Sequence, residues 1–143
     1  MVMNKTEKRY VEKKLETYNL YRLTLTYEEL PKTTQSFQFV PAHTGARPFF
    51  STTEQTALKN IEAAQKRKNY MSMIEQCVNR LPPAERELIV RRYLQEADRF
   101  DYQVYMDMLI SERQYYRIKN RAFTKLHYLF SVWEEEQGEL EGS

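Results

Sequence analysis

Glycine is scarce in this chain of 143 residues: only Gly45, Gly138 and Gly142 occur. That leaves no glycine-rich loop able to cradle a phosphate through backbone N–H groups. A single cysteine, Cys77, excludes an internal disulfide, and its place in a helical pattern makes it a reduced, partly buried thiol. His43 and His127 lie far from each other and from Cys77, so no metal-ligand spacing exists. No apolar run approaches the ~18 residues that span a bilayer, and the opening Met-Val-Met-Asn-Lys-Thr-Glu-Lys has no hydrophobic signal region. Carboxylates are plentiful, but none is paired in a setting apolar enough to shift its pKa for acid–base work. Ser111 reads as a helix cap rather than a nucleophile. These absences predict a chain that is not an enzyme, with no catalytic residues, no cofactor, no metal and no membrane span, residing in the cytoplasm.

What is present is charge and helical periodicity. Charged residues make up 29% of the chain, hydrophobic ones 41%, and the mean hydropathy is −0.77. The net charge of +2 hides an asymmetry. Glu134, Glu135, Glu136, Glu139 and Glu141 crowd the last ten residues without a Lys or Arg, so the first 133 carry 22 − 15, or +7. A body that basic favours phosphate contacts. The acidic end is either a solubilising tail or a segment that folds back and discourages non-specific DNA binding.

Residues 111–126 carry the most information. Ser111 is a good N-cap with Gln114 three residues on, and Tyr115, Ile118, Ala122, Leu126 and Leu129 recur at helical spacing as a buried stripe. Arg113, Gln114, Arg117, Asn120, Arg121 and Thr124 fall on the opposite face. Arg, Gln and Asn are the side chains able to make bidentate hydrogen bonds to guanine or adenine edges in a major groove. Helical geometry alone favours Arg113, Gln114, Arg117 and Arg121 as base readers. Lys119 and Lys125 read as contacts to the nucleic-acid backbone. Upstream, Leu81-Pro-Pro starts a helix placing Leu88, Ile89 and Tyr93 on one face, and Asp101–Leu109 forms a short helix, capped near Asp98 to Asp101, with Val104, Met108 and Ile110 inward. A tight joint at Leu109–Ser111 makes the last two a helix-turn-helix.

The run Leu81-x-x-x-Glu85-Arg86-Glu87-Leu88-Ile89-x-x-Arg92-Tyr93-Leu94, followed by Ile110-Ser111-x-x-x-Tyr115-x-x-Ile118-x-x-x-Ala122-Phe123-x-Lys125-Leu126, resembles region 4 of bacterial sigma factors. With Asp101-x-x-Val104-Tyr105 and Ile110-Ser111-Glu112-Arg113-x-Tyr115-Tyr116-Arg117-Ile118-Lys119, the chain is similar to the ArpU/RinA-like phage regulators of late gene transcription. The motif-bearing part covers residues 81–130. The resemblance places base-reading positions on Glu112, Arg113, Tyr116 and Arg117, so both lines of reasoning meet at Arg113 and Arg117. Glu112 is either an acceptor for a cytosine amino group or a first-turn acid that complements the helix dipole. Tyr116 is either a contact to phosphate or a thymine methyl, or a half-buried ring. Tyr105 and Leu109 depart from the pattern, which has a small residue and a glycine there, and predict a turn shifted from the common one.

Further upstream, residues 4–29 read as a tyrosine-rich helix with Val11, Leu15, Tyr18 and Leu25 near one side and Lys5, Lys8, Arg9, Lys13 and Lys14 at its start. Its Leu23-Thr-Leu-Thr-Tyr end is expected to fray or extend. Tyrosines interleaved with cations stack on single-stranded nucleic acid in some proteins and pack into cores in most. Pro31 to Pro48, with Phe37, Phe39, Phe49 and Phe50, reads as a connector holding His43 at its surface. Ser51-Thr-Thr-Glu54 opens a long helix with Ala57, Ile61, Ala64, Met71, Ile74, Val78 and Leu81 as its stripe, whose surplus face with Leu58, Tyr70 and Met73 packs on residues 4–29 or on a second subunit.

The expectation is therefore all-α: N-terminal helices plus a C-terminal sigma region 4-like helix-turn-helix. Its parts are an N-terminal helix and connector (1–50), a long amphipathic helix suited to oligomerisation (51–80), the DNA-binding unit (81–131) and an acidic tail (132–143). The resemblance implies a sequence-specific double-stranded DNA-binding regulator, an activator of phage or prophage late genes in the bacterial host cell. Its implied partners are duplex DNA, the host RNA polymerase and a second copy of itself, a dimer being favoured. The rival readings are an alternative sigma factor, a small terminase-like DNA-packaging protein, and a protein-interaction module whose basic face meets an acidic partner.

Overall fold

A computed structural model describes residues 3–29 and 50–142, so the proline-containing connector and His43 lie outside the described residues. All described secondary structure is helical: α1 (Lys5–Glu29), α2 (Phe50–Asn79), α3 (Pro83–Tyr93), α4 (Asp101–Asp107) and α5 (Glu112–Gly142). The all-α class expected from the periodicity is the class observed.

Each helix contributes its apolar stripe to one core. Val11 and Leu15 of α1, Ile74 and Val78 of α2, Leu88 and Ile89 of α3, Val104 of α4, and Tyr115, Leu126 and Phe130 of α5 are all buried in it. Pro82 is the N-cap of α3 and Pro83 its first residue, where a missing N–H costs nothing. α1 runs as helix through Glu29, so the β-branched end neither frays nor extends. Tyr10, Tyr18 and Tyr21 turn toward neighbouring helices. Tyr18 donates to Glu75 at 2.8 Å, Tyr70 of α2 donates to the Lys14 carbonyl at 2.6 Å, and Tyr10 meets His127 edge-on at 5.4 Å. Tyr10 and Tyr18 are thus spent on contacts between helices, and Tyr21 meets Tyr70 edge-on at 5.2 Å.

The stripe expected along α2 is only half buried. Met71, Ile74 and Val78 are in the core, whereas Ala57 and Ile61 are exposed, because the described helices converge on α2 only from about Tyr70 onward. α2 begins at Phe50, so Ser51 lies inside the helix and not at its cap. Cys77 is buried, and that burial pushes its thiol pKa up. Residues 132–142 continue α5 without a break. Trp133 and Glu134 of this acidic end close on α1: Lys14 pairs with Glu134 and lies 5.5, 5.8 and 5.9 Å from the rings of Tyr10, Tyr70 and Trp133.

Candidate nucleic-acid interface

The joint between α4 and α5 sets the direction of everything that follows it. Leu109 has φ 59°, in the left-handed region that normally belongs to glycine. Its N–H bonds the Met106 carbonyl at 3.2 Å and the next N–H, of Ile110, reaches back to the Tyr105 carbonyl at 3.2 Å. That pair of bonds is the Schellman end of a helix, and Ile110 and Tyr105, the positions of its usual apolar contact, are both half-buried against the core. The shifted turn expected from Leu109 and Tyr105 is thus not found. Leucine takes the glycine slot, and Tyr105 is accommodated by a ring contact with Tyr115 at 5.5 Å.

α5 then starts as its sequence demands. The Ser111 hydroxyl accepts from the Gln114 N–H at 3.1 Å, satisfying one of the donors a helix start leaves open. Tyr115, Ala122 and Leu126 are fully buried, and Ile118 and Leu129 are partly so. The same rotation turns Glu112, Arg113, Gln114, Arg117, Asn120 and Arg121 to solvent. Ser111, Arg113, Gln114, Arg117, Ile118 and Arg121 line one shallow groove. Among the described residues, no carboxylate pairs with Arg113, Arg117 or Arg121. At 1.5 Å per residue these arginines span about 12 Å, the width of a DNA major groove. Glu112 sits exposed in the first turn. Tyr116 is 39% exposed, with its hydroxyl 3.4 Å from Asp101.

Lys119 and Lys125, expected at the nucleic-acid backbone, have other partners. Lys119 is 9% exposed, enclosed by the rings of Tyr93, Tyr115, Tyr116 and Phe123 at 5.5–6.0 Å, and bonded to Asp101 at 3.1 Å. Its position, four residues after Tyr115 and three before Ala122, lies on the buried side of the helix, so the period already excludes it from the outer face. Lys125 pairs at 2.9 Å with Glu85 of α3, which is itself buried.

Asp101 is the residue that periodicity misses. Besides Lys119, its carboxylate accepts from Arg92 of α3 at 2.9 Å and from the hydroxyl of Tyr115, tying α3, α4 and α5 together behind the arginine face. Burial pushes this carboxyl's pKa up, but the bond from Tyr115 and the Lys119 and Arg92 cations outweigh that and hold it below its ordinary value. Sequence offers Asp101 as a helix-capping candidate and as a position of the family resemblance, but not as this tie, because its partners lie 9, 14 and 18 residues away.

Among the described residues no three His, Cys, Asp or Glu side chains gather where a metal ion could sit, and no helix is long and apolar enough to cross a membrane. The chain is 30% identical over 131 residues to the uncharacterized phage-related protein Lin1259/Lin1739 of Listeria innocua, covering 92% of this chain and 91% of that one. No protein-family model and no solved structure matches it.

Proposed function

The chain belongs to the family of phage-related proteins that includes the Listeria innocua protein, and from that premise we propose that it is a sequence-specific double-stranded DNA-binding regulator, an ArpU/RinA-like activator of phage late genes. The observation that carries this reading is the exposed arginine face of α5, with which no carboxylate among the described residues pairs. In it α4 and α5 act as a sigma region 4-like helix-turn-helix with α5 in the major groove, Arg113 and Arg117 reading bases, and Gln114, Asn120 and Arg121 extending the contact. Glu112 and Tyr116 flank that row. Each good bidentate pair discriminates by about 1–3 kcal/mol. The body charge of +7, counted over the first 133 residues, draws the protein to the phosphates, and the host RNA polymerase is the partner that activation requires.

The test is duplex binding by fluorescence anisotropy across a salt series, for the full chain and for Arg113→Ala/Arg117→Ala/Arg121→Ala. Expected is an affinity that falls steeply with salt, and a variant with weaker binding and a slope shallower by about 0.9 for each phosphate it no longer neutralises. Equal binding by both proteins would remove α5 from the interface. Salt-dependent binding indifferent to sequence would favour a DNA-packaging role.

A further inference from the structure

Exposed apolar side chains are scattered over α1, α2 and α5, but around α4 four of them gather on one side. Phe100 is 62% exposed, Tyr102 53%, Met106 64% and Leu109 90%. The rings of Phe100 and Tyr102 stack at 5.9 Å with 8° between their planes, Met106 follows Tyr102 by one turn, and Leu109 comes directly after the C-cap, Met108. With a whole side chain of this size near 200 Å², they leave roughly 500 Å² of apolar surface open, toward the upper end of the largest patch on a soluble monomer, a patch that is often functional.

Leu109 adds an independent observation. A leucine in the left-handed conformation is strained, and one that is almost fully exposed returns nothing to the fold. Glycine would meet the backbone requirement without strain. A side chain kept at such a position is explained by what it touches outside its own chain.

Charge identifies the occupant. Of the acids in residues 95–112, Asp107 is paired with Arg99 and Asp101 with Arg92 and Lys119, which leaves Glu96, Asp98 and Glu112 exposed and, among the described residues, without a cation. In a body that is otherwise basic, these three free acids disfavour phosphates, and so nucleic acid and anionic lipid, and favour a cationic partner. We infer that the Phe100–Tyr102–Met106–Leu109 surface docks a protein partner through a segment with an apolar stripe flanked by lysine or arginine. The inference stands whether or not α5 reads DNA.

The experiment is an amide chemical-shift titration of the full chain with a synthetic Leu/Lys amphipathic helix of about 18 residues, and with its Leu/Glu counterpart. Expected are saturable shifts over residues 98–110 with the Leu/Lys peptide and none there with the Leu/Glu peptide. Tyr102→Ser/Met106→Ser should weaken binding by about tenfold or more. Leu109→Gly should weaken it severalfold while raising the melting temperature by about 2–5 °C, a pairing of opposite signs that a purely structural leucine cannot give. Shifts confined to the glutamates of 134–141, equal response to both peptides, or unchanged affinity in both variants would overturn the proposal. So would concentration-dependent self-association abolished by those variants, since the occupant would then be a second copy.

Discussion

Replacing Asp101 by alanine is expected to cost about 3 kcal/mol of folding stability, the low end of the range for removing one partner from a buried ion pair, because its side chain keeps 24% exposure. The magnitude follows from what the carboxylate leaves behind. Lys119, whose side chain is 11% exposed, would hold its charge among aromatic rings without a counter-ion, and the hydroxyl of fully buried Tyr115 would lose its acceptor at about 1–3 kcal/mol. Arg92, with 26% of its side chain exposed, can turn to water and adds little. At roughly 3–5 °C per kcal/mol for a domain of this size, the melting temperature should fall by about 9–15 °C. Urea unfolding followed by far-ultraviolet circular dichroism measures it, with an unchanged m value showing that the two-state transition survives. Adding Lys119→Met removes the stranded cation and should restore about 2 kcal/mol. A loss under about 1 kcal/mol for Asp101→Ala, or no recovery in the double variant, would refute Asp101 as the tie between α3, α4 and α5.

The same carboxylate gives a pH prediction. Because its pKa is held below the ordinary 3.8, its stabilisation is fully present above that value and is lost as pH falls through the folded one. Unfolding free energy measured between about pH 5 and pH 2 should therefore fall more steeply for the parent chain than for Asp101→Asn. Lys125→Met should lower stability by about 1–3 kcal/mol by leaving buried Glu85 uncompensated, with duplex affinity little changed; the reverse pattern in paired unfolding and binding measurements would return Lys125 to the interface. Arg117→Ala should leave the melting temperature within about 2 °C of the parent and lose site selection, whereas unfolding seen by circular dichroism would show that its face is wrongly assigned.

Much of this architecture is legible from residue pattern, and the reasons differ by element. α3 and α5 announce themselves through Pro82, Pro83 and Ser111 at their starts and through stripes that repeat every three or four residues, a property of the local chain. The outward row from Arg113 to Arg121 follows from the same rotation. Asp101 cannot be found that way, since its role depends on three helices meeting. Lys119 reads outward on residue type alone, although its phase on the helix points in. Leu109 carries no turn signal, as glycine would, and its conformation is imposed by the Schellman bonds to Tyr105 and Met106. The outer half of α2 shows an apolar period without a described partner, so pattern promises burial that the described packing does not supply. The acidic end looks separable by composition, yet no glycine interrupts α5 before Gly138, and Lys14 with its aromatic surround draws Glu134 onto α1.

Whether α5 reads base sequence is decided by enriching random duplex DNA on the purified full chain at near-physiological salt, in parallel with Arg113→Ala/Arg117→Ala. A single enriched motif that disappears with the two arginines is the expected result. No motif from the parent chain, or the same motif from the variant, would contradict the assignment of α5 as the reading helix.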